Sequence, residues 1–350
     1  MIIAIQPDDY TTSESTGPDA SSPIWSRLLE QAGHHVRTVD VFRADILDQL
    51  RGCDGFMWRH GHLPEHRQVA RRLLPVIERE MGITTYPDQN TCWHYDDKIS
   101  QFYLLTAASV PMPKTWIWFN YQQAMNWTET ARYPLVIKLW SGTASRNVRM
   151  ARNSKEATEW VNLLFSDGLA DMNEWSVPLL TAFYMRMRAA AAILLRGRVQ
   201  RPWELHKNYF LAQEFVEGND FDIRVVVIGS RAFAKRRFNR CRDFRASGNT
   251  SVDCDPGQID LRAVHLAFQT AQRLNTQSLA LDILRRRDEF LVTEISYTYP
   301  SYAQYICPGH WELNDDDLRW VDGHMLAEEA QIQDYLARLE QSRSGRLACV

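Results

Sequence analysis

Hydrophobic and polar positions follow a strand–helix–strand rhythm through the first 90 residues. Ile2–Ile5 is an apolar run that predicts a short buried strand. Residues 7–23, rich in Asp, Ser, Thr, Gly and Pro, predict a mobile loop. Trp25–Ala32 has helical spacing and stops at Gly33. Strand Val36–Val41, short helix Ala44–Leu50, strand Gly55–Trp58 and helix Arg67–Met81, stopped by Gly82, follow in turn. This repetition predicts βαβ units and a parallel sheet.

Further along, Asp97–Ala108 predicts a helix ended by Pro111 and Pro113, Pro134–Trp140 a strand and Ser154–Phe165 an amphipathic helix. Residues 166–208 hold a predicted helix over 180–195 within a polar, basic stretch, read as an insertion or lid. A β-rich part then begins with strand Phe210–Phe215. Phe221–Ile228 and Arg231–Phe238 form a hairpin across Gly229-Ser230. Helix Leu261–Leu274 precedes strands Leu279–Leu284 and Phe290–Ser296, joined by Arg285–Glu289. The expected domains are residues 1–93, 94–209 and 210–341, with a disordered tail over 342–350.

The chain has 350 residues, 45% hydrophobic and 24% charged, which excludes a disordered chain and leaves room for a large core. A net charge of −3 gives no global argument for a nucleic-acid or membrane partner. The apolar run Ala189–Leu195 falls far short of the roughly 20 residues that span a bilayer. Residues 1–10 lack the pattern of a signal peptide. Six cysteines form no CxxC pair, so a zinc site is not expected and a reducing cytoplasm is.

Three constellations carry chemistry. Pairing the last hairpin about Asp288 sets Asp282 opposite Glu294, Leu281 opposite Ile295 and Ile283 opposite Thr293. Two facing carboxylates suit a hard divalent cation such as Mg²⁺; solvated acids in another register are the alternative. Lys138 is the one charge in the apolar run Leu135–Trp140, and the small-residue loop Ser141–Ser145 follows it. A lysine there suits a phosphate; one that reaches water at a strand edge is the alternative. In the first hairpin Arg224 faces Lys235 and Asp222 faces Arg237. Like charges opposite each other call for an anion between them. Lys235, Arg236, Arg237, Arg240, Arg242 and Arg245 stand against Asp243 alone in residues 235–245. A nucleic-acid patch or a solvated basic face are the alternatives.

The order of these features resembles the ATP-grasp superfamily of carboxylate–amine ligases, near its glutathione-synthetase-like and ribosomal-protein glutamate ligase-like members. The likeness covers roughly residues 84–296. It implies an α/β fold with α+β elements: an N-terminal pre-ATP-grasp domain and two subdomains that clamp a nucleotide. Asn90…Asp97-Lys98 and Val110–Pro113 resemble the entry to the ATP-grasp region, which implies that Lys98 and Lys138 address the phosphates of ATP. Ser141 and Gly142 would open the phosphate loop. Gln213, Glu214, Phe215 and Val216 resemble the hinge strand that pairs with adenine. Asp220 would take the ribose, with Glu217 and Asp222 as alternatives. Arg224, Arg237 and Arg245 would line the acyl-phosphate and acceptor site. Asp282 and Glu294 match the metal carboxylates, with Ser296 where the family has Asn. The implied cofactors are ATP and one or two Mg²⁺ ions.

The partners so implied are a small-molecule carboxylate and an amine, with a homodimer admitted and no membrane or nucleic acid expected. The Glu294-Ile-Ser296-Tyr297 form, with Cys307–Trp311, resembles a branch associated with cell-surface polysaccharide synthesis. A sugar acid, amino sugar or amino acid is the substrate this implies. A non-catalytic ATP-binding regulator is the rival within the fold.

Overall fold

The computed structural model describes residues 1–8, 20–142, 147–169, 204–239, 251–315 and 317–347. Most of the expected loop 7–23, the expected helix over 180–195, Thr143–Ser145, Arg240, Arg242, Asp243 and Arg245 lie outside the described residues. The chain divides into two compact units. One comprises Met1–Tyr95, Leu104–Pro111 and Gly218–Val350; the other comprises Asp96–Tyr103 and Met112–Glu217.

The first unit opens with β1 (Ile2–Ile5), β2 (His35–Thr38), β3 (Gly55–Met57) and β4 (Thr84–Tyr86), a parallel sheet in the order β2-β1-β3-β4. The βαβ rhythm therefore has the expected outcome. Helix Ser21–Gln31 begins four residues before the sequence expectation, because the Asp8 carboxylate accepts the otherwise orphaned N–H groups of Ser21 and Ser22. It stops at Gly33, whose φ of +80° suits a residue without Cβ. The expected helix Arg67–Met81 instead starts at Pro64 and changes at Pro75 into a π-helical turn, Val76–Glu80. Proline suits the first turn of a helix, while in the interior its ring and missing N–H disturb the hydrogen-bond ladder.

The second unit holds β5 (Thr115–Trp118), β6 (Leu135–Lys138), β7 (Val148–Ala151) and β8 (Phe210–Glu214), an antiparallel sheet ordered β5-β8-β6-β7. Leu135, Ile137, Phe210 and Ala212 form a core with Ala124, Val161 and Leu164 from helices Tyr121–Thr130 and Ser154–Phe165. Asn120 and Asn153 cap those helices by accepting N–H bonds from Gln123 and Glu156, each at 3.0 Å.

The first unit resumes with β9 (Phe221–Ile228), β10 (Arg231–Phe238), β11 (Val252–Asp253), β12 (Ser278–Arg286), β13 (Glu289–Ser296), β14 (Gly309–Asn314) and β15 (Asp317–Asp322). The sheet runs β13-β12-β9-β10-β14-β15, with β11 beside β10. Helix Leu261–Leu274 turns Val264, Ala267, Phe268 and Ala271 inward. Gly229 takes φ +56° in the first hairpin turn, where a Cβ would lie 2.7 Å from an Asp334 oxygen. Residues 297–311 contain a short helix, Tyr302–Tyr305, and the start of β14.

Helix Ala327–Leu347 continues five residues past Ser342, where a disordered tail is expected from the sequence. Its Ile332, Tyr335 and Leu339 pack with Ile3, Ile5, Met57 and Tyr86, so the parallel sheet is covered by residues from the far end of the same unit. The Tyr335 hydroxyl donates to the Thr84 carbonyl at 2.9 Å. Among the described residues no helix is long and apolar enough to cross a membrane.

Candidate active site

Four neighbouring strands set four charges in one row. Lys235 on β10 faces Arg224 on β9, Arg224 faces Asp282 on β12, and Asp282 faces Glu294 on β13. Asp222 faces Arg237, as expected. The anion that the Arg224–Lys235 pair calls for is found within the protein. Arg224 forks onto Asp282, Nε to Oδ1 at 2.7 Å and Nη2 to Oδ2 at 2.9 Å. Arg237 Nη2 adds a third contact to Asp282 Oδ2 at 2.8 Å, while its Nε donates to Asp222 Oδ1 at 2.7 Å.

These contacts decide the charge states. Burial alone would raise the Asp282 carboxyl, but Arg224 and Arg237 outweigh it and hold the group far below the usual carboxylate range. Asp222 goes the other way: burial and the neighbouring Asp282 raise it against the pull of Arg237. Burial pushes Lys235 down to about 8, and its Nζ donates to the Ala303 carbonyl at 2.6 Å. Arg236 pairs with Asp253 and lies over the rings of Phe221 and Phe238. The described cations of the basic run 235–245 are thus bound within the protein.

The last hairpin departs from the expected register in an instructive way. Its turn is Arg287-Asp288, not the longer Arg285–Glu289, with Arg287 at φ +55°. Ile283 therefore pairs with Val292, and the expected Ile283–Thr293 pair is corrected. A bulge at Thr293 then shifts the register by one, so that Asp282 does face Glu294. The Thr293 hydroxyl donates to the Asp282 carbonyl at 3.0 Å at that bulge.

As a divalent-cation site, this pair supplies two hard oxygen donors. A carboxylate has about four lone-pair sites. Three on Asp282 are taken by guanidinium N–H groups, which leaves one on Oδ1 for a monodentate metal contact. Ser296 is committed elsewhere: its Oγ donates to the Thr298 carbonyl at 2.9 Å and accepts the Thr298 N–H at 3.2 Å. Among the described residues no group of three or more His, Cys, Asp or Glu side chains is placed to hold a metal ion. Any metal here would take further ligands from a nucleotide, the usual manner of Mg²⁺.

The second unit gathers the two lysines' neighbourhood. Lys98 Nζ donates to the Gly142 carbonyl at 2.9 Å, and the Gly142 N–H donates to Asp96 Oδ1 at 2.8 Å. Gly142 sits at φ +122°, where a Cβ would lie 2.6 Å from Asn147. Lys138 is buried on β6 opposite Val148. Ser141 Oγ lies 3.3 Å from His206 Nε2, and His206 Nδ1 lies 2.9 Å from the Tyr209 hydroxyl, which accepts the Trp140 N–H. Gln213 and Glu214 pair with β6 through Val136 and Leu135, and Gln213 Nε2 donates to Thr115 Oγ1. Phe215 and Val216 continue beyond the strand; Asp220, in the first unit, is exposed.

Residues 186–300 match the family described as the RimK-like ATP-grasp domain. The chain has the ATP-grasp fold. Among curated proteins, the alpha-aminoadipate–LysW ligase LysX of Saccharolobus solfataricus is 25% identical over 226 residues, 64% of this chain and 69% of that one. A probable alpha-L-glutamate ligase of Cellvibrio japonicus is 23% identical over 288 residues, 77% of this chain and 82% of its own. D-cycloserine synthetase DcsG shares the fold with a TM-score of 0.59 at 14% identity, covering 97% of this chain and 100% of that one. A RimK domain ATP-grasp protein from Sphaerobacter thermophilus does so with a TM-score of 0.51 at 12% identity, over 97% and 99%. The expected ATP-grasp fold and ligase class are borne out.

Sequence reading of this ATP-grasp chain misses several polar partners in the second unit: Asp96, Asn147, His206, Tyr209 and Glu204, whose Oε2 accepts from Ser141 Oγ at 3.2 Å. Asp96 adjoins the noticed Asp97-Lys98 pair and Asn147 closes the noticed small-residue loop, so both carried a local signal. His206 and Tyr209 lie more than 60 positions from Ser141 and meet it only through the sheet.

Proposed function

We propose that the protein is an ATP-dependent carboxylate–amine ligase that works through an acyl phosphate on an amino-acid substrate. The supporting observation is the row Lys235–Arg224–Asp282–Glu294, which aligns two cations and two carboxylates across four strands. An amino-acid substrate is favoured by the names of the relatives, a glutamate ligase and an aminoadipate ligase.

In this reading a substrate carboxylate oxygen attacks the γ-phosphorus of ATP and ADP leaves. The amine nitrogen then attacks the acyl carbon, phosphate departs, and the nitrogen gives up a proton to leave an amide. Lys98 and Lys138 hold phosphate oxygens, with Ser141 and Gly142 beside them. Gln213, Glu214, Phe215 and Val216 take the adenine and Asp220 the ribose. Arg224, Arg237 and Arg245 face the charge that develops during transfer. Asp282 and Glu294 would hold Mg²⁺, which supplies charge neutralisation on the phosphates. Positioning and electrostatics carry such a reaction, and no protein nucleophile is needed.

The test is ADP release over pools of amino acids and amines, with mass detection of the amide. ADP formation that requires both partners supports the ligase. Glu294→Gln is expected to lower ADP formation by at least 100-fold, on the order of one lost electrostatic contact to the transition state, while the circular dichroism spectrum stays that of the parent. Normal turnover in that variant removes Glu294 from the metal site. One observation favours a second reading, a nucleotide-binding regulator: Ser296 is tied to Thr298 where the family has an asparagine. ATP binding with no partner-dependent ADP release would select it.

A further inference from the structure

The edge of β10 carries two cysteines that the ligase chemistry above leaves unused. β9 covers one edge of β10, and two partners share the other: β14 pairs at Arg231 and Ala232, β11 at Arg236 and Arg237. Residues 233–235 fall in the gap between those partners. Cys254 directly follows β11. Val252 faces Arg237 and Asp253 faces Arg236, so continuing the register brings Cys254 beside Lys235, and strand alternation sets both on the face of Phe233. Cys307 enters the same gap from the segment before β14. Its Sγ lies 3.8 Å from the Ala234 carbonyl oxygen and 3.9 Å from that of Ala303, to which Lys235 Nζ also donates. Cys307 belongs to a core cluster with Phe233, and Cys254 packs against that cluster. The two thiols share a hydrogen bond, and neither is in a disulfide.

The two sulfurs are unlike. Cys307 is 3% exposed, whereas Cys254 is only half-buried and can be reached from solvent. The hydrogen bond from Cys307 lowers the Cys254 thiol against the effect of burial, and the Lys235 ammonium adds to the fall. The same bond, together with burial, raises Cys307. A reachable sulfur with thiolate character beside a second, sheltered thiol is the arrangement of an attacking and a resolving cysteine. Cys53 and Cys92 differ in both respects: they are buried, and burial raises each of them.

We propose that Cys254 and Cys307 are a redox couple, oxidised by small disulfides to a reversible intramolecular disulfide at the Lys235 end of the charged row. The Cys254 thiolate attacks one sulfur of the small disulfide, forms a mixed disulfide and expels a thiolate. Cys307 gives up its proton and attacks the Cys254 sulfur, which expels the second thiolate. The two protein thiols lose two electrons, the small disulfide gains them, and the two protons end on the departing thiols. The product ties the end of β11 to the segment before β14, across the gap at residues 233–235. None of this depends on the proposed ligase reaction.

The experiment uses the reduced full chain in native buffer. It is incubated with oxidised glutathione, its remaining thiols are blocked with N-ethylmaleimide, and it is digested without reductant for mass spectrometry. A linked pair of peptides holding Cys254 and Cys307, lighter by two hydrogens than the free pair, is expected, and reduced glutathione in excess is expected to reverse it. Peptide mapping separates this product from any reaction of Cys241 and Cys349, which lie outside the described residues. Cys307→Ala is expected to accumulate glutathione on Cys254. Cys254→Ser is expected to slow the loss of the Cys307 thiol at least about tenfold, since the sheltered sulfur then lacks its reachable partner. The parent's own peptide map decides the matter if either variant fails to fold. The proposal is overturned if the parent holds glutathione on Cys254 while Cys307 stays a free thiol, if neither cysteine reacts, if Cys254 pairs with another cysteine, or if the link forms only in denaturant.

Discussion

Arg237 shows how much one side chain holds. It is buried between Asp222 and Asp282 and contacts both. Removing one partner of a buried ion pair costs about 3–5 kcal/mol, because charge is left uncompensated. Arg237→Met is expected to lose that much in urea denaturation. Lys235 makes the opposite case. Burial moves it from its ordinary 10.5 to about 8, so the folded protein binds the proton more weakly than the unfolded chain does. Below about pH 8 both states carry the proton and the penalty of the buried charge is complete. Stability then rises with pH toward 10.5, where the unfolded state still binds more protons. Lys235→Met is expected to raise Tm at pH 7, with the gain shrinking when the scan is repeated at pH 10. A gain that is equal at both values would contradict the burial account.

Single elements reveal what alternation encodes and what it hides. The hairpin Phe221–Phe238 was legible residue for residue, since its two-residue turn begins with glycine and its strands are of equal length. The last hairpin was legible only in part. A symmetric pairing about Asp288 finds the Asp282–Glu294 pair, yet a tighter turn and a compensating bulge produce it. Bulges leave little trace in a pattern of apolar and polar residues, so the register between turn and bulge was out of reach. The helix over Val76–Glu80 was misread for a related reason: apolar spacing does not report how Pro75 disturbs the ladder. The proposed roles of Lys98, Lys138 and the carboxylate pair come from motif order, whereas the Asp282 guanidinium clamp needs three strands at once. Gln277, just before β12, exposes another such junction. Its side chain donates to the Thr85 carbonyl at 2.9 Å and accepts the Asp88 N–H at 2.8 Å. Gln277→Leu strands one buried and one partly buried backbone group and is expected to destabilise the first unit by about 2–4 kcal/mol. Guanidinium denaturation followed by near-ultraviolet circular dichroism measures it.

For the whole molecule, the arrangement of the first unit matters more than any one motif. Its parallel sheet is closed by helix Ala327–Leu347, through Ile332, Tyr335 and Leu339. Tyr335→Ala removes a fully buried ring and its hydroxyl bond to Thr84. A loss of about 3–5 kcal/mol is expected, and hydrogen exchange should show it at Ile3–Ile5 and Gly55–Met57 ahead of β6 and β8. Equal loss of protection in the antiparallel sheet of the second unit would mean that the units unfold together.

That closure has a consequence for the order in which the chain is made. More than two hundred residues separate Tyr86 from Ala327. At roughly 5–20 residues per second of synthesis, the apolar face of Ile3, Ile5 and Met57 spends ten seconds or longer outside the ribosome without its cover. The second unit, whose pieces lie between, emerges complete before then. The N-terminal sheet is therefore the part of the nascent chain on which a chaperone that binds exposed aliphatic strands would act, until Tyr335 arrives and displaces it.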